Sequence, residues 1–439
     1  MRQYQRYLVV AVLPLLAAQA RSEDSFLDAL QASQLTGYGK LMFVSDDKKG
    51  GRPNQNTPGV GGKLGFKTGE FAGVSLSGGY YTTQDLGQRS HNPREVDAYM
   101  FNLDKTPYSL LGEAQLGYRA GRTSLTLGRQ EFFSPIINTY DYRIIPNLFE
   151  ACTLTNRDLP DTTLTFAYVG KMSGLDGLVT FSEFRSMSQQ TYTSLIVDAA
   201  GRIDTRGDTL DPSRVVGHHG VWVAGMEIEK AASLRAWNFY GTDTLNTTYL
   251  DGRVKTDLNK TFALTGEAQA YRVSAVGAFK RYLESQRLNA TYGLVGLKGT
   301  LSWKPAGLSV SYALNRFGGN ERTVTAFGNW GGYPEFVSMP YLFAENQGAS
   351  AIARSRLSKF TAVLNLGPYG LPDQALILGH ARIDTDAAIL AHTDISVDSL
   401  IYRAKLGAGW SARAALEVRS SENRRYDNDF IALGLRYDF

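Results

Sequence analysis

The sequence predicts an all-β fold, a transmembrane antiparallel β-barrel of about 18 strands with short periplasmic turns and long extracellular loops. Three observations carry this. Apolar side chains recur at every second position along most of the chain, helical period is almost absent, and the predicted connections alternate in length from one end to the other. The segment IALGLRYDF (431–439) shows the period most clearly: Ile431, Leu433, Leu435, Tyr437 and Phe439 alternate with Ala432, Gly434, Arg436 and Asp438.

Composition sets the bounds. The chain has 439 residues, 43% hydrophobic and 20% charged, a balance that is neither disordered nor collagen-like. Its mean hydropathy is −0.22, and beyond residue 20 no run reaches the roughly 18 apolar residues that a membrane-spanning helix needs. Strands escape that limit because only alternate residues meet hydrocarbon. A spanning sheet must also close, since each unpaired backbone amide in lipid costs several kcal/mol. The 46 Lys and Arg against 42 Asp and Glu leave no global field for nucleic acid. With Cys152 as its one cysteine, the chain closes no intrachain disulfide.

The elements follow in order. Arg2 and Arg6 precede an apolar run from Tyr7 to Ala18, and Ala18 and Ala20 are small, so residues 1–20 read as a secretory signal peptide and 21–439 as the barrel domain. Strands are predicted near 37–46, 59–69 and 71–82, the last two joined at Gly69-Glu70. After a long loop at 83–108 come 109–119 and 122–130, with LGEAQLGYR (111–119) carrying the period and Ala120-Gly121 the turn. Residues 131–161 read as one long loop, followed by strands near 162–170 and 177–186 and by the loop 187–219. Next come 220–230, 233–243, 245–256 and 260–272, where the break near Thr244 is short although a long loop is due. Strands 288–303 and 306–317 turn at Lys304-Pro305, 354–366 and 374–385 at Gly367 to Asp373, and 396–406 and 409–420 at Gly407 to Gly409, before the last strand at 429–439. Long loops at 47–58, 273–287, 318–353, 386–395 and 421–428 complete a rhythm that membrane barrels show and soluble sandwiches have no reason to keep. Aromatic residues gather near predicted strand ends, at Tyr80-Tyr81, Tyr118, Trp237 with Phe239-Tyr240, Trp303, Trp410 and Tyr437 with Phe439, as headgroup-depth rings do.

With the apolar parity facing lipid, the opposite parity places Lys40, Lys63, Lys67, Arg119, Lys359, Arg403, Lys405, Arg413, Arg419 and Arg436 in the lumen, with Glu113, Glu267, Glu417 and Asp438. On the lipid face an Arg or Lys would cost roughly 2–4 kcal/mol at the midplane. The lumen is therefore expected to be wet and mainly basic. Arg403, Lys405, Arg413, Arg419 and Arg436 come from three consecutive strands and form a positive strip that favours anions in passage. The plainer reading of the same charges is neutralisation by Glu417 and Asp438. Loop 131–161 is unusually apolar, with Ile136, Ile137, Ile144, Ile145, Leu148 and Phe149. It is expected to fold inward and narrow the pore, with Asp141 and Arg143 at the constriction and Pro135, Pro146 and Pro160 fixing its path.

Gly128, Pro135, Tyr142-Arg143-Ile144-Ile145-Pro146 and Phe149 give this region a wording that resembles the OprD-type porins, substrate-selective eighteen-stranded outer-membrane channels. Tyr118-Arg119, Ala270-Tyr271-Arg272, Asn365 to Pro372 and Glu417-Val418-Arg419 extend the likeness over nearly the whole mature chain. The resemblance implies a row of basic side chains that guides small carboxylate-bearing solutes past a constriction formed partly by the third loop, with Arg119, Arg143, Arg403 and Arg419 in that role. Arg272 matches in sequence but has the lipid parity, and the wording departs from the family at Arg129 and Glu150.

The function expected is that of a Gram-negative outer-membrane porin, a passive diffusion channel for small hydrophilic solutes that favours carboxylate-bearing or anionic ones. Its expected pore-lining set is Arg119, Asp141, Arg143, Lys359, Arg403, Lys405, Arg413, Arg419 and Arg436. The alternative is a structural or adhesive outer-membrane barrel with a blocked lumen, its loops 187–219 and 318–353 binding a partner. Catalysis is not expected, because the five histidines fall mostly in loops or near strand ends and none makes a Ser-His arrangement on one strand. Adjacent His218 and His219 lack a completing ligand, so neither metal nor cofactor is expected. Expected partners are small-molecule solutes, outer-membrane lipid and lipopolysaccharide, and the barrel assembly machinery, which would read the C-terminal strand ending in Phe439. Nucleic acid is not among them, and the expected assembly is a monomer or a homotrimer.

Overall fold

A computed structural model describes residues 25–174, 180–193, 214–328, 330–338, 353–387, 394–422, 424 and 427–439. The expected signal peptide lies outside the described residues. Eighteen antiparallel strands form a closed barrel, each hydrogen-bonded to the strands before and after it in sequence. They are β1 (Gln34–Lys48), β2 (Gln55–Lys67), β3 (Val74–Gln84), β4 (Tyr108–Ala120), β5 (Thr123–Gln130), β6 (Leu148–Asn156), β7 (Thr162–Ser173), β8 (Val221–Glu229) and β9 (Ala232–Gly241). The circuit continues with β10 (Leu245–Asp257), β11 (Phe262–Ala275), β12 (Tyr292–Trp303), β13 (Leu308–Phe317), β14 (Arg356–Asn365), β15 (Gln374–Asp384), β16 (Ile395–Gly407), β17 (Trp410–Ser421) and β18 (Asn428–Asp438).

Closure is made by β1 on β18, in a register that runs from Tyr38 opposite Asp438 to Lys48 opposite Asn428. The seam continues past the ladder, with the Phe439 N–H donating to the Gly37 carbonyl at 3.1 Å and the Gly37 N–H returning to the Phe439 carbonyl at 3.0 Å. Glycine is required there, because a Cβ on residue 37 would lie 2.7 Å from the Phe439 ring. No backbone edge is left to lipid along this seam.

The period-2 pattern decides which way each side chain points. Leu35, Leu41, Phe43, Leu64, Phe66, Val295, Leu297, Leu314, Phe360, Leu378, Leu416 and Leu433 stand exposed on the outer face, as lipid contact demands. Among the described residues no helix is long and apolar enough to cross a membrane. The buried apolar cluster lies inside the barrel instead, where inward residues such as Tyr81, Val169 and Phe430 meet Met100, Phe101, Phe132, Ile137, Ile144 and Trp330 from inserted loops. Of the aromatic pairs expected at headgroup depth, Tyr80, Tyr240, Trp303, Trp410, Tyr437 and Phe439 face outward, whereas Tyr81, Trp237 and Phe239 point into this core.

Connections alternate as expected, and the short β9–β10 link around Thr244 is a low point on the long-loop rim. Three boundaries differ from the sequence reading. Residues 148–156 of the expected loop 131–161 are strand β6, so the inserted loop is 131–147. Of the strand expected at 177–186, residues 177–179 lie outside the described residues, and among 180–186 only Arg185–Ser186 pair in the sheet, with β7 opposite Met172 and Lys171. The loop expected at 47–58 shrinks to a turn, because β1 reaches Lys48 and β2 begins at Gln55. Two short helices also stand outside the expected pattern. Helix α1 (Phe26–Gln31), capped by Ser25, leans on the β2–β3 turn through the Ala29 carbonyl and Gly69 N–H, and α2 (Gly277–Ser285) sits in the β11–β12 loop with Phe279 and Leu283 buried.

Candidate functional site

The site is built on loop 131–147. Ser134 turns it inward, its hydroxyl donating to the Ile137 carbonyl at 2.6 Å and accepting from the Ile137 N–H at 3.1 Å. Ile144 then seats on β2, where glycine leaves room: a Cβ on Gly59 would stand 2.9 Å from its Cδ1. The Tyr38 hydroxyl donates to the Ile144 carbonyl at 2.7 Å and fixes the loop against β1. Arg143, expected at the constriction, is instead wholly buried at 0% exposure. Its guanidinium donates twice to the Asp97 carboxylate, at 2.9 and 2.8 Å, and stacks on the Tyr142 ring at 4.0 Å. Burial alone would raise the Asp97 pKa; the adjoining guanidinium outweighs it and holds the carboxyl below its usual range. Arg143 therefore clamps two loops together and does not line the pore.

Two residues earlier the chain returns to the lumen. Asp141 accepts from Lys40 Nζ at 2.8 Å and from Arg436 at 2.7 Å, so the loop presents its carboxylate to the basic wall. Register organises that wall into rows. Lys405, Ser411, Arg436 and Lys40 are successive cross-strand neighbours on β16, β17, β18 and β1. One step toward the long-loop rim the next row is Arg403, Arg413, Gly434 and Met42. Together with Asp141 these rows line one cavity of about 670 Å³. The side chains of Arg403 and Lys405 have no hydrogen-bond or ion-pair partner among the described residues, while Arg436 is also held by Asp438 at 2.7 Å and lies over the Tyr38 ring at 3.9 Å.

The other expected pore-lining residues lie elsewhere. Arg119 stands at the short-turn rim, 3.3 Å from Glu70. Arg419 is inward but only 3% exposed, higher on β17. Lys359 on β14 donates to the Ser338 carbonyl.

That last contact belongs to a feature the sequence reading missed: residues 330–338 also fold into the lumen. The Asn138 N–H donates to the Trp330 carbonyl at 2.9 Å and the Gly332 N–H to the Ile136 carbonyl at 3.0 Å, which joins this segment to loop 131–147. Trp330 Nε1 donates to the Met187 carbonyl at 3.1 Å, and Tyr271 on β11 donates to Glu335 at 2.8 Å. Burial raises the Glu335 pKa above the usual carboxylate range. The signal was present in FGNWGGYPEF (327–336), an aromatic and glycine-rich stretch unlike a solvated loop.

The family profile described as outer membrane porin, OprD family, matches residues 64–324. Solved structures share the fold over nearly the whole chain. Pseudomonas aeruginosa OccK9 (OpdG) superposes with a TM-score of 0.73 at 15% identity, covering 94% of this chain and 99% of that one. Pseudomonas aeruginosa OccK8 (OprE) gives 0.71 at 15% identity over 94% and 99%. OpdK from the same organism, solved with vanillate, gives 0.68 at 14% identity over 93% and 99%. Among curated proteins, none matches the chain by sequence.

Proposed function

Because the chain belongs to the OprD family of outer-membrane porins, channels of the Gram-negative outer membrane, we propose that its pore prefers small carboxylate-bearing or other anionic solutes, guided by the two basic rows. One observation carries this. Arg403 and Arg413 are direct cross-strand neighbours, and the side chain of Arg403 has no hydrogen-bond or ion-pair partner among the described residues. Like charges placed opposite one another destabilise a sheet. The arrangement becomes favourable when an anion bridges the pair, since a guanidinium binds a carboxylate through two parallel N–H donors.

The chemistry is a relay. A carboxylate exchanges water for Arg403 and Arg413, then meets Lys405 and Arg436 one row closer to the short-turn rim. Asp141 already occupies Lys40 and Arg436, so it competes with the solute there and limits how long an anion stays. Conduction needs attraction strong enough for entry and weak enough for release. Vanillate, bound in the OpdK structure, is a carboxylate of the class proposed. We also propose that residues 1–20 direct export and that β18, with the Phe439 that follows it, is what the assembly machinery reads.

The test is reversal potential in planar bilayers under a KCl gradient, with small carboxylates added to one side. The wild type should favour chloride over potassium and show carboxylate-dependent block. The double variant Arg403→Ala/Arg413→Ala should lose much of both, and unchanged selectivity would overturn the proposal.

A further inference from the structure

Among the described residues several polar and charged side chains on the outer face have partners. On the outer face Glu150 lies 3.8 Å from Arg129 and 3.0 Å from Lys171. Arg382 pairs with Asp384 at 2.5 Å, and His380 with Asp398 at 2.8 Å. Three arginines break this pattern. Arg272 on β11, Arg316 on β13 and Arg356 on β14 are exposed, have the outward parity and lie at the long-loop ends of their strands. None has a side-chain hydrogen-bond or ion-pair partner among the described residues; Asp384, the cross-strand neighbour of Arg356 on β15, pairs with Arg382 instead. Arg316 and Arg356 are direct cross-strand neighbours, so two like charges face the same surface side by side.

Between Arg272 and Arg316 the wall is hollow. Gly293 is the cross-strand neighbour of Arg272, and Val295, the next outward residue on β12, is the neighbour of Arg316. With Leu250 and Gly318 they line an outward groove of about 480 Å³ whose lining contains no carboxylate. Below it the outer face is apolar, with Val295, Leu297, Leu314 and Phe360 exposed. The groove thus has a cationic upper rim and a hydrocarbon-compatible floor, and it sits on the lipid side of a wall whose other face is the pore.

We infer that this groove binds a phosphorylated glycolipid of the outer leaflet, lipopolysaccharide, with its phosphate between Arg272 and Arg316, Arg356 as a third cation, and an acyl chain along Val295 and Leu297. The occupant follows from complementarity. An unpaired guanidinium group at the membrane interface is satisfied by phosphate oxygens, to which it donates bidentately. Only an amphiphile meets the charged rim and the apolar floor together. The inference is independent of the solute preference, because these residues face away from the lumen.

The test titrates purified protein in detergent with bisphosphorylated rough lipopolysaccharide, with the same lipid dephosphorylated, and with inorganic phosphate as competitor, read by native mass spectrometry. Wild type should bind the phosphorylated lipid roughly tenfold tighter than the dephosphorylated one, as expected for one lost charge-assisted contact. Arg272→Gln/Arg316→Gln should abolish that difference and leave single-channel conductance and heat-modifiable mobility unchanged. Equal binding of the two lipids by wild type, or an undiminished preference in the folded variant, would overturn the inference. So would displacement by inorganic phosphate at concentrations comparable to the lipid, which would mark a free-phosphate site.

Discussion

A guanidinium and a carboxylate that both have no exposed surface show how this pore holds its shape. Removing one member of a buried pair leaves the other charge uncompensated, at about 3–5 kcal/mol. Arg143→Met should therefore lower the temperature at which heat-modifiable mobility is lost, and Asp97→Leu/Arg143→Met should recover most of that loss. The pH dependence has a definite sign. The Asp97 pKa is depressed in the folded barrel, so its contribution is present above the ordinary carboxylate value of about 3.9 and disappears as pH falls through the folded value. Wild-type channels should be quiet at neutral pH and noisy only in acid, whereas Asp97→Asn should be noisy at neutral pH; quiet records from that variant would contradict the clamp. Glu335 has the opposite sign. Its raised pKa means its contribution holds at low pH and is lost as pH rises through the folded value. Glu335→Gln keeps an acceptor for the Tyr271 hydroxyl and should make the thermal midpoint insensitive to pH in that window.

At the scale of elements, strand and inserted loop were not equally legible. Strands facing lipid on one side and water on the other declare themselves, as KLGFKTG, LIYRAKLG and SARAALEVR do, and the inward parity of Lys63, Arg403, Lys405 and Arg413 follows from the same period. Strand β6 does not, because Phe149 and Ala151 pack inward beneath the inserted loop while Cys152 and Leu154 point outward beside the charged Glu150, so apolar side chains stand on both faces and the period is blurred. The expected count of 18 left out β6 and included a strand at 177–186, of whose described residues, 180–186, only Arg185 and Ser186 pair in the sheet. The place of Arg143 was hidden for another cause: its partner Asp97 lies 46 residues earlier in a different loop, a separation no local pattern reveals. Packing gives the element-scale prediction. Gly59→Val would drive a side chain into Met100 and Ile144, so it should unseat loop 131–147 and widen the pore. Raised conductance with an intact barrel band is the expected result; unchanged conductance would mean that the loop does not depend on this seat.

Across the whole molecule the pore is asymmetric. Cations gather on the β16 to β1 wall with Asp141 facing them, whereas in the sector under residues 330–338 Tyr271 and Asn315 stand with two lysines already engaged, Lys359 with the Ser338 carbonyl and Lys298 with Glu267 at 2.8 Å. In a hydrated lumen a unit charge about 4 Å away contributes about 1 kcal/mol, close to a fivefold change in partition. Arg413→Ala should thus lower the anion-to-cation permeability ratio by about that factor, and Asp141→Asn should raise it by releasing Lys40 and Arg436. Reversal potentials in dilute and concentrated salt check both, since screening flattens such differences. The two backbone hydrogen bonds that tie residues 136–138 to residues 330–332 bear on movement as well. Segments nearly two hundred residues apart are hinged on different staves yet stitched into one leaf, so neither swings without the other, and the aperture should change in discrete jumps of current rather than by gradual drift.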